Sequence, residues 1–210
     1  MKKIKIKIEN MISNYRRNEI VKGYKEKLIN KDFTILSSNC NGGFIMHDLG
    51  VRFNTPTINL FFLPKDFIKF VKDFDKYINL ELIEVEDCKE TYPVGKIEDI
   101  KIYFQHYHTF KEAKEKWDER KRRINKENLF IMATDRDGCT ENDIREFDRI
   151  PYKNKVIFTH KHYEDIESAY QIKGFENDNQ VGILSCFEGA TGKRYIDQFD
   201  YVSWLNSNIK

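Results

Sequence analysis

The chain has 210 residues, a formal net charge of +2 and 33% charged residues, against about 25% in an average soluble protein. That length buries a full core without staples, and the charged surface combined with 14% aromatic content excludes a disordered chain. The near-balanced charge argues against a groove for a long polyanion, so nucleic acid is not an expected partner.

In chain order, Ile6 to Leu28 reads as a helix, with Ile8, Met11, Ile12 and Tyr15 at helical spacing. Residues 1–30 are expected to pack on the rest as an N-terminal helix. Phe33 to Leu36 is a strand, and a short helix starts near Gly43. Thr57 to Phe62 reads as a second strand, with Pro64 at the first turn of the helix that follows. Phe67, Phe70, Val71, Phe74 and Ile78 line one face of that helix. Leu82 to Val85 and Ile100 to Phe104 are further strands. Thr109 with Glu112 marks a helix start.

Leu129 to Ala133 is almost wholly apolar, the pattern of a strand buried on both faces near the middle of a sheet. Thr140 with Asp143 caps the next helix. Val156 to Phe158 is a strand, Val181 to Leu184 an edge strand, and Ile196 to Leu205 a closing helix. This alternation predicts one α/β domain spanning residues 1–210. The expected architecture has three layers, α/β/α, around a central, mostly parallel or mixed sheet.

Four cysteines, none in CxxC spacing, give little support for structural zinc and require no disulfide. The opening Met-Lys-Lys-Ile-Lys lacks a signal-peptide core. No apolar run approaches the roughly 20 residues of a membrane span. The cytoplasm is the expected location, and the oligomeric state is not set.

Four polar clusters follow strand ends, where open α/β sheets bind ligands if the strands run parallel. Ser37, Ser38, Asn39, Cys40, Asn41, Gly42 and Gly43 precede a helix and read either as an anion cradle or as a tight turn. Asp135 and Asp137 could hold one divalent cation, Mg²⁺ or Mn²⁺, against a diphosphate. The alternative is an Asx-turn with an outer ion pair to Arg136. Asp135-Arg136-Asp137-Gly138 also resembles the first motif of haloacid-dehalogenase-type phosphotransferases, which would make Asp135 a nucleophile and Asp137 a general acid. A Cys intervenes before Thr140, and little chain remains for the later motifs of that family. His106 with His108, and His160 with His162, close two strands, where His106 or His160 would serve as acid or base. Arg52 and Asn54 stand just before a strand, Arg52 suited to an anionic group.

Taken with His47-Asp48-Leu49-Gly50, Tyr92-Pro93-Val94-Gly95, Thr134 to Thr140 and Gly192-Lys193-Arg194, these clusters resemble a bacterial family of unknown function. Its members are often labelled exopolysaccharide biosynthesis proteins. The resemblance implies an α/β fold and a link to surface polysaccharide, with no assigned reaction. The expected function is a transferase of cell-surface polysaccharide assembly that uses a nucleotide-sugar or sugar phosphate. A phosphotransferase with Asp135 as nucleophile, and a non-catalytic partner of an assembly complex, are the alternatives.

Overall fold

The structure, a computed structural model, describes residues 2–86 and 88–209, with side chains from residue 11 onward. Its centre is a four-stranded, all-parallel sheet in the order β1 (Thr34–Ser37), β5 (Leu129–Thr134), β6 (Lys155–Thr159), β7 (Ala169–Gln171). Strand β5 is buried along its whole length, as its unbroken apolar run requires of a central parallel strand. Side-chain alternation sends Leu36, Ile131, Ala133 and Ile157 to one face. Ile35, Phe130, Met132, Val156 and Phe158 go to the other. Each face meets its own hydrophobic cluster, so the sheet is covered on both sides and the fold is mixed α/β in three layers.

The first face packs against α3 (Pro64–Lys72), α4 (Phe74–Asn79), α5 (Phe110–Lys121) and α6 (Glu141–Asp148). A small antiparallel sheet, β2 (Ile83–Glu84), β3 (Val94–Ile97) and β4 (Ile100–Tyr103), flanks that layer. The second face packs against α2 (Asn41–Leu49), α7 (Tyr201–Asn206) and the end of α1 (Lys2–Lys27) with Leu28 behind it. Thr140 and Asp143 form the expected reciprocal cap of α6. At α5 the Thr109 side chain accepts from the Glu112 N–H.

Several elements depart from the sequence expectations. Thr57 to Phe62 is not a strand. It bends at Ile58 and Asn59, the Thr57 hydroxyl takes the Ser37 N–H, and Asn59 adopts a left-handed φ of 62°. A side chain has replaced a ladder bond there, leaving an isolated bridge between Phe61 and Tyr103. The helix after Pro64 breaks at Asp73. The closing helix is a 3₁₀ turn, Tyr195–Gln198, followed by α7, whose first turn is capped by Asp200 accepting from Ser203. Val181 to Leu184 forms no strand.

Before its apolar end, helix α1 is held to the rest by polar groups on Ser13, Arg16 and Arg17. Met11 and Tyr15 of the expected stripe are 67% and 75% exposed, while Ser13 and Arg17 are buried. Ile8 of that stripe lies outside the described side chains. Among the described residues, no helix is long and apolar enough to cross a membrane.

Candidate functional site

Because all four strands run parallel, the ends of β1, β5 and β6 put their loops on one rim. There the structure opens a cleft of about 440 Å³, within the range of small-ligand sites. Asn39 enters it from the β1–α2 turn, Asn41 and Phe44 from the first turn of α2, and Arg136 and Asp137 from the loop after β5. Gln105 and His106 follow β4, Phe61 and Tyr92 bring two more rings, and the segment 182–185 forms a wall. Of the residues proposed from sequence, Asn39, Asn41, His106 and Asp137 therefore meet in one place.

The β1–α2 turn satisfies much of its own backbone. The Asn39 Oδ1 accepts the Asn41 N–H at 3.1 Å, and the Ser37 Oγ accepts the Gly42 N–H at 3.3 Å. Two helix N-terminal donors that an anion would need are thus already used. Asn39 also donates through Nδ2 to the Thr134 hydroxyl at 2.9 Å, tying the β1 and β5 loops together. Ser37 and Ser38 are buried and do not line the cleft, and Ser38 accepts the Phe62 N–H through its carbonyl. Asn41 is different. It is only 7% exposed, lines the cleft, and its carboxamide bonds no group among the described residues, while neither amide atom is sealed from the cleft. A carboxamide this buried, lining a cleft without a protein partner, is able to hydrogen-bond a molecule placed there.

Gly42 and Gly43 are not equivalent. A Cβ at Gly42 would stand 2.9 Å from the Ser37 Cβ, whereas one at Gly43 meets only Ile58, at 3.4 Å from Cδ1 and 3.9 Å from Cγ2. Gly42→Ala is expected to destabilise by about 1–3 kcal/mol through overpacking. Gly43→Ala is expected to be neutral or to stabilise by up to about 1 kcal/mol through helix propensity. Denaturant midpoints of the two variants would read this; equal midpoints would contradict the packing argument.

Asp135 is not a cleft residue. It is 3% exposed, and both of its oxygens are taken. Oδ2 receives the His160 N–H at 2.7 Å and meets His160 Nδ1 at 2.5 Å, and Oδ1 receives the Val181 N–H at 2.8 Å. A carboxylate so placed assigns the proton to Nδ1 and leaves Nε2 as the ring's basic nitrogen. No described residue bonds that Nε2, and it is not sealed from solvent. His160 itself lies outside the cleft lining. Asp137, exposed with a left-handed φ of 59°, faces the cleft, and its N–H donates to Gln180 Oε1 at 3.0 Å. Asp135 and Asp137 therefore do not present a shared pair of free carboxylates. Among the described residues, no three His, Cys, Asp or Glu side chains are grouped to hold a metal.

Arg52 and Asn54 fall at the other end of the sheet. The Asn54 carbonyl accepts from the hydroxyl of Thr34, the first residue of β1, and Asn54 Nδ2 reaches Asp32 at 3.4 Å. Their closeness in sequence to the first cluster misleads because α2 carries the chain back down the strand before it turns. Of the remaining histidines, His108 and His162 are exposed and do not line the cleft.

The thiols near the rim are poor nucleophiles. Burial pushes the Cys40 thiol up, and the Leu60 backbone contact only partly offsets it. Burial, with Asp143 and Asp135 nearby, pushes Cys139 up to about 12. Burial, followed by the Glu90 carboxylate, pushes the Tyr92 hydroxyl up to about 12, so its ring carries no charge near neutral pH. Phe44, Phe61, Tyr92 and Gln105 line the cleft without being sequence-predicted site residues. The one signal for any of them is that Tyr92 belongs to the Tyr92-Pro93-Val94-Gly95 motif.

A family model described as a domain of unknown function, DUF1919, matches residues 11–206. An uncharacterized protein of Haemophilus influenzae is 50% identical over 200 residues, covering 95% of this chain and 97% of that protein.

Proposed function

The chain belongs to the DUF1919 family of unknown function, and we propose that it is a transferase acting on an activated sugar, a nucleotide-sugar or a sugar phosphate, in cell-surface polysaccharide assembly. The observation that carries this reading is the cleft: partly exposed aromatic rings, carboxamides, one arginine and one carboxylate at the carboxyl rim of a parallel sheet. In it, Asn41 and Gln105 hydrogen-bond sugar hydroxyls, Arg136 takes anionic charge, and His106 and Asp137 are the groups placed for proton transfer. The four described cysteines are all free thiols, in keeping with a reducing, cytoplasmic setting.

Asp135 has no free oxygen for attack on phosphorus, which weighs against the phosphotransferase reading. Mg²⁺ or Mn²⁺ would find Asp137 as its only ligand from the aspartate pair, so no step here is routed through a metal. A non-catalytic sugar-binding partner is the second reading, favoured by the complete engagement of Asp135 with protein groups.

A thermal-shift screen with nucleotide-sugars and sugar phosphates, each with and without Mg²⁺ or Mn²⁺, tests the proposal. A ligand at one hundred times its Kd stabilises by about 2.7 kcal/mol. For a domain of this size that is a shift on the order of 5–10 °C. Asp137→Asn is expected to keep the unliganded melting temperature and lose turnover. No shift with any sugar ligand would remove the support for both readings, and binding with full activity in Asp137→Asn would remove Asp137 from the chemistry.

A further inference from the structure

The lining charges of the cleft narrow its ligand, given the sugar reading above. We infer that the cleft takes a sugar bearing a single phosphate, its ring against Tyr92 and Phe61, its hydroxyls on Asn41 and its phosphate on Arg136, and that it is not built for a nucleoside diphosphate.

The first argument is the inventory of cations. Among the described residues that line the cleft, Arg136 is the only Lys or Arg, and Asp137 the only Asp or Glu. Several other candidates for anion binding are already engaged. The Asn41 and Gly42 N–H groups at the start of α2 are taken by Asn39 and Ser37. Arg194, whose guanidinium lies 5.7 Å from the Phe44 ring centre, is paired with Asp48 at 2.7 Å. Arg52 is at the far end of the sheet. A diphosphate would bring a second phosphate group, and a guanidinium forks onto one phosphate at a time, so Arg136 leaves that second group without a charged donor from the described lining. Nor do the described residues group into a metal site that could neutralise it.

The second argument is the shape and chemistry of the lining. The Phe61 ring stacks on Tyr103 with centroids 4.7 Å apart and planes within 10°. Tyr92 stands edge-on to Phe61 at 6.3 Å and 73°. These rings are held by one another and stay partly open to the cleft, which makes a preformed apolar surface for the C–H face of a pyranose. Opposite chemistry comes from Asn41, nine-tenths buried and unpartnered, which offers two donors and an acceptor to vicinal hydroxyls. A stacking surface with fixed carboxamides beside it reads a sugar ring. One arginine at its end reads one phosphate.

Calorimetry on the full chain tests this with a panel of hexose and N-acetylhexosamine 1-phosphates, the matching free sugars, the matching UDP-sugars, and UDP, GDP and dTDP. One sugar 1-phosphate is expected to bind at least tenfold tighter than both its free sugar and its UDP form. Arg136→Gln is expected to weaken that sugar phosphate by tenfold or more while leaving the free sugar unchanged. Tyr92→Ala is expected to weaken both by about fivefold to tenfold. If a nucleoside diphosphate alone binds as tightly as its sugar conjugate and displaces the sugar phosphate, the inference is overturned while the transferase reading stands. If a sugar phosphate binds with no response to Arg136→Gln and Tyr92→Ala, its site is elsewhere and the inference also fails. Absence of binding by every sugar compound overturns the inference and the transferase reading together.

Discussion

Arg17→Ala is expected to lower stability by about 3–5 kcal/mol, the cost of breaking a buried ion pair from one side. For a chain of this size that is a fall in melting temperature of roughly 6–20 °C. Arg17, on α1, donates through Nη2 to Asp48 Oδ2 at 2.5 Å and through Nη1 to Asp197 Oδ2. Arg194 reaches the same Asp48 oxygen through Nη1 and gives its backbone N–H to Asp197 at 2.7 Å. Burial by itself would lower the Arg17 pKa, but Asp48 and Asp197 outweigh it and hold the guanidinium charged. Two arginines and two aspartates balance, so removing Arg17 leaves two carboxylates against one cation in a site with little water.

The same junction explains Gly192. It has a φ of +79°, and a Cβ there would stand 2.6 Å from Arg16 Cβ and 2.9 Å from the Arg17 backbone nitrogen. The Gly192-Lys193-Arg194 run is therefore the seat of α1. Thermal unfolding of Arg17→Ala beside Met11→Ala, which removes an exposed side chain, is the measurement. A drop in Arg17→Ala no larger than in Met11→Ala would refute the network as the anchor of the helix.

What the sequence made legible was carried by long-range regularity. The unbroken apolar run of Leu129 to Ala133 marks a central parallel strand because only a strand buried on both faces tolerates it. The capped helix after Thr140 declares itself through local chemistry. What was hidden depends on partners far along the chain. Strand β7 is three half-buried residues, Ala169–Gln171, with no alternation to read. The β3–β4 hairpin turns through Glu98 at a φ of 52°, without the Asn-Gly or Asp-Gly pair that usually signals such a turn. Val181 to Leu184 carries strand-like apolar residues, yet the Val181 N–H goes to Asp135, 46 positions earlier, and the segment becomes a cleft wall.

The candidate site follows the same division. Strand ends located Asn39, Asn41 and Asp137, since parallel strands place their following loops on one rim, while His106 reaches the same cleft from the end of β4 in the antiparallel sheet. Spacing alone could not tell Asp135 from Asp137. Residues two apart share a face only while the strand continues, and β5 ends at Thr134. Past that point Asp135 turns into the protein, and Asp137, itself left-handed, faces the cleft.

That difference supplies the second large effect. Asp135→Asn is expected to destabilise by about 3 kcal/mol, while Asp137→Asn changes stability by less than about 0.5 kcal/mol, as exposed substitutions do. Asp135 receives two backbone N–H groups and meets the His160 ring nitrogen, and every such bond to a charged acceptor is worth about 1.5–3 kcal/mol. An asparagine keeps one oxygen. Its NH₂ must face at least one of those N–H donors, leaving that donor buried without an acceptor. With the side chain held in place, the loss falls on either His160 or Val181. On the Val181 side it frees the wall that continues through Gly182 and Ile183 into the cleft. Ligand affinity is therefore expected to fall in Asp135→Asn although Asp135 touches no ligand, and amide hydrogen exchange at Val181 is expected to quicken. Denaturant midpoints for the two variants, with exchange at Val181 as the local readout, decide the matter. Equal midpoints and unchanged exchange would mean that Asp135 neither orients His160 nor holds the wall, and the distinction between the two aspartates would collapse.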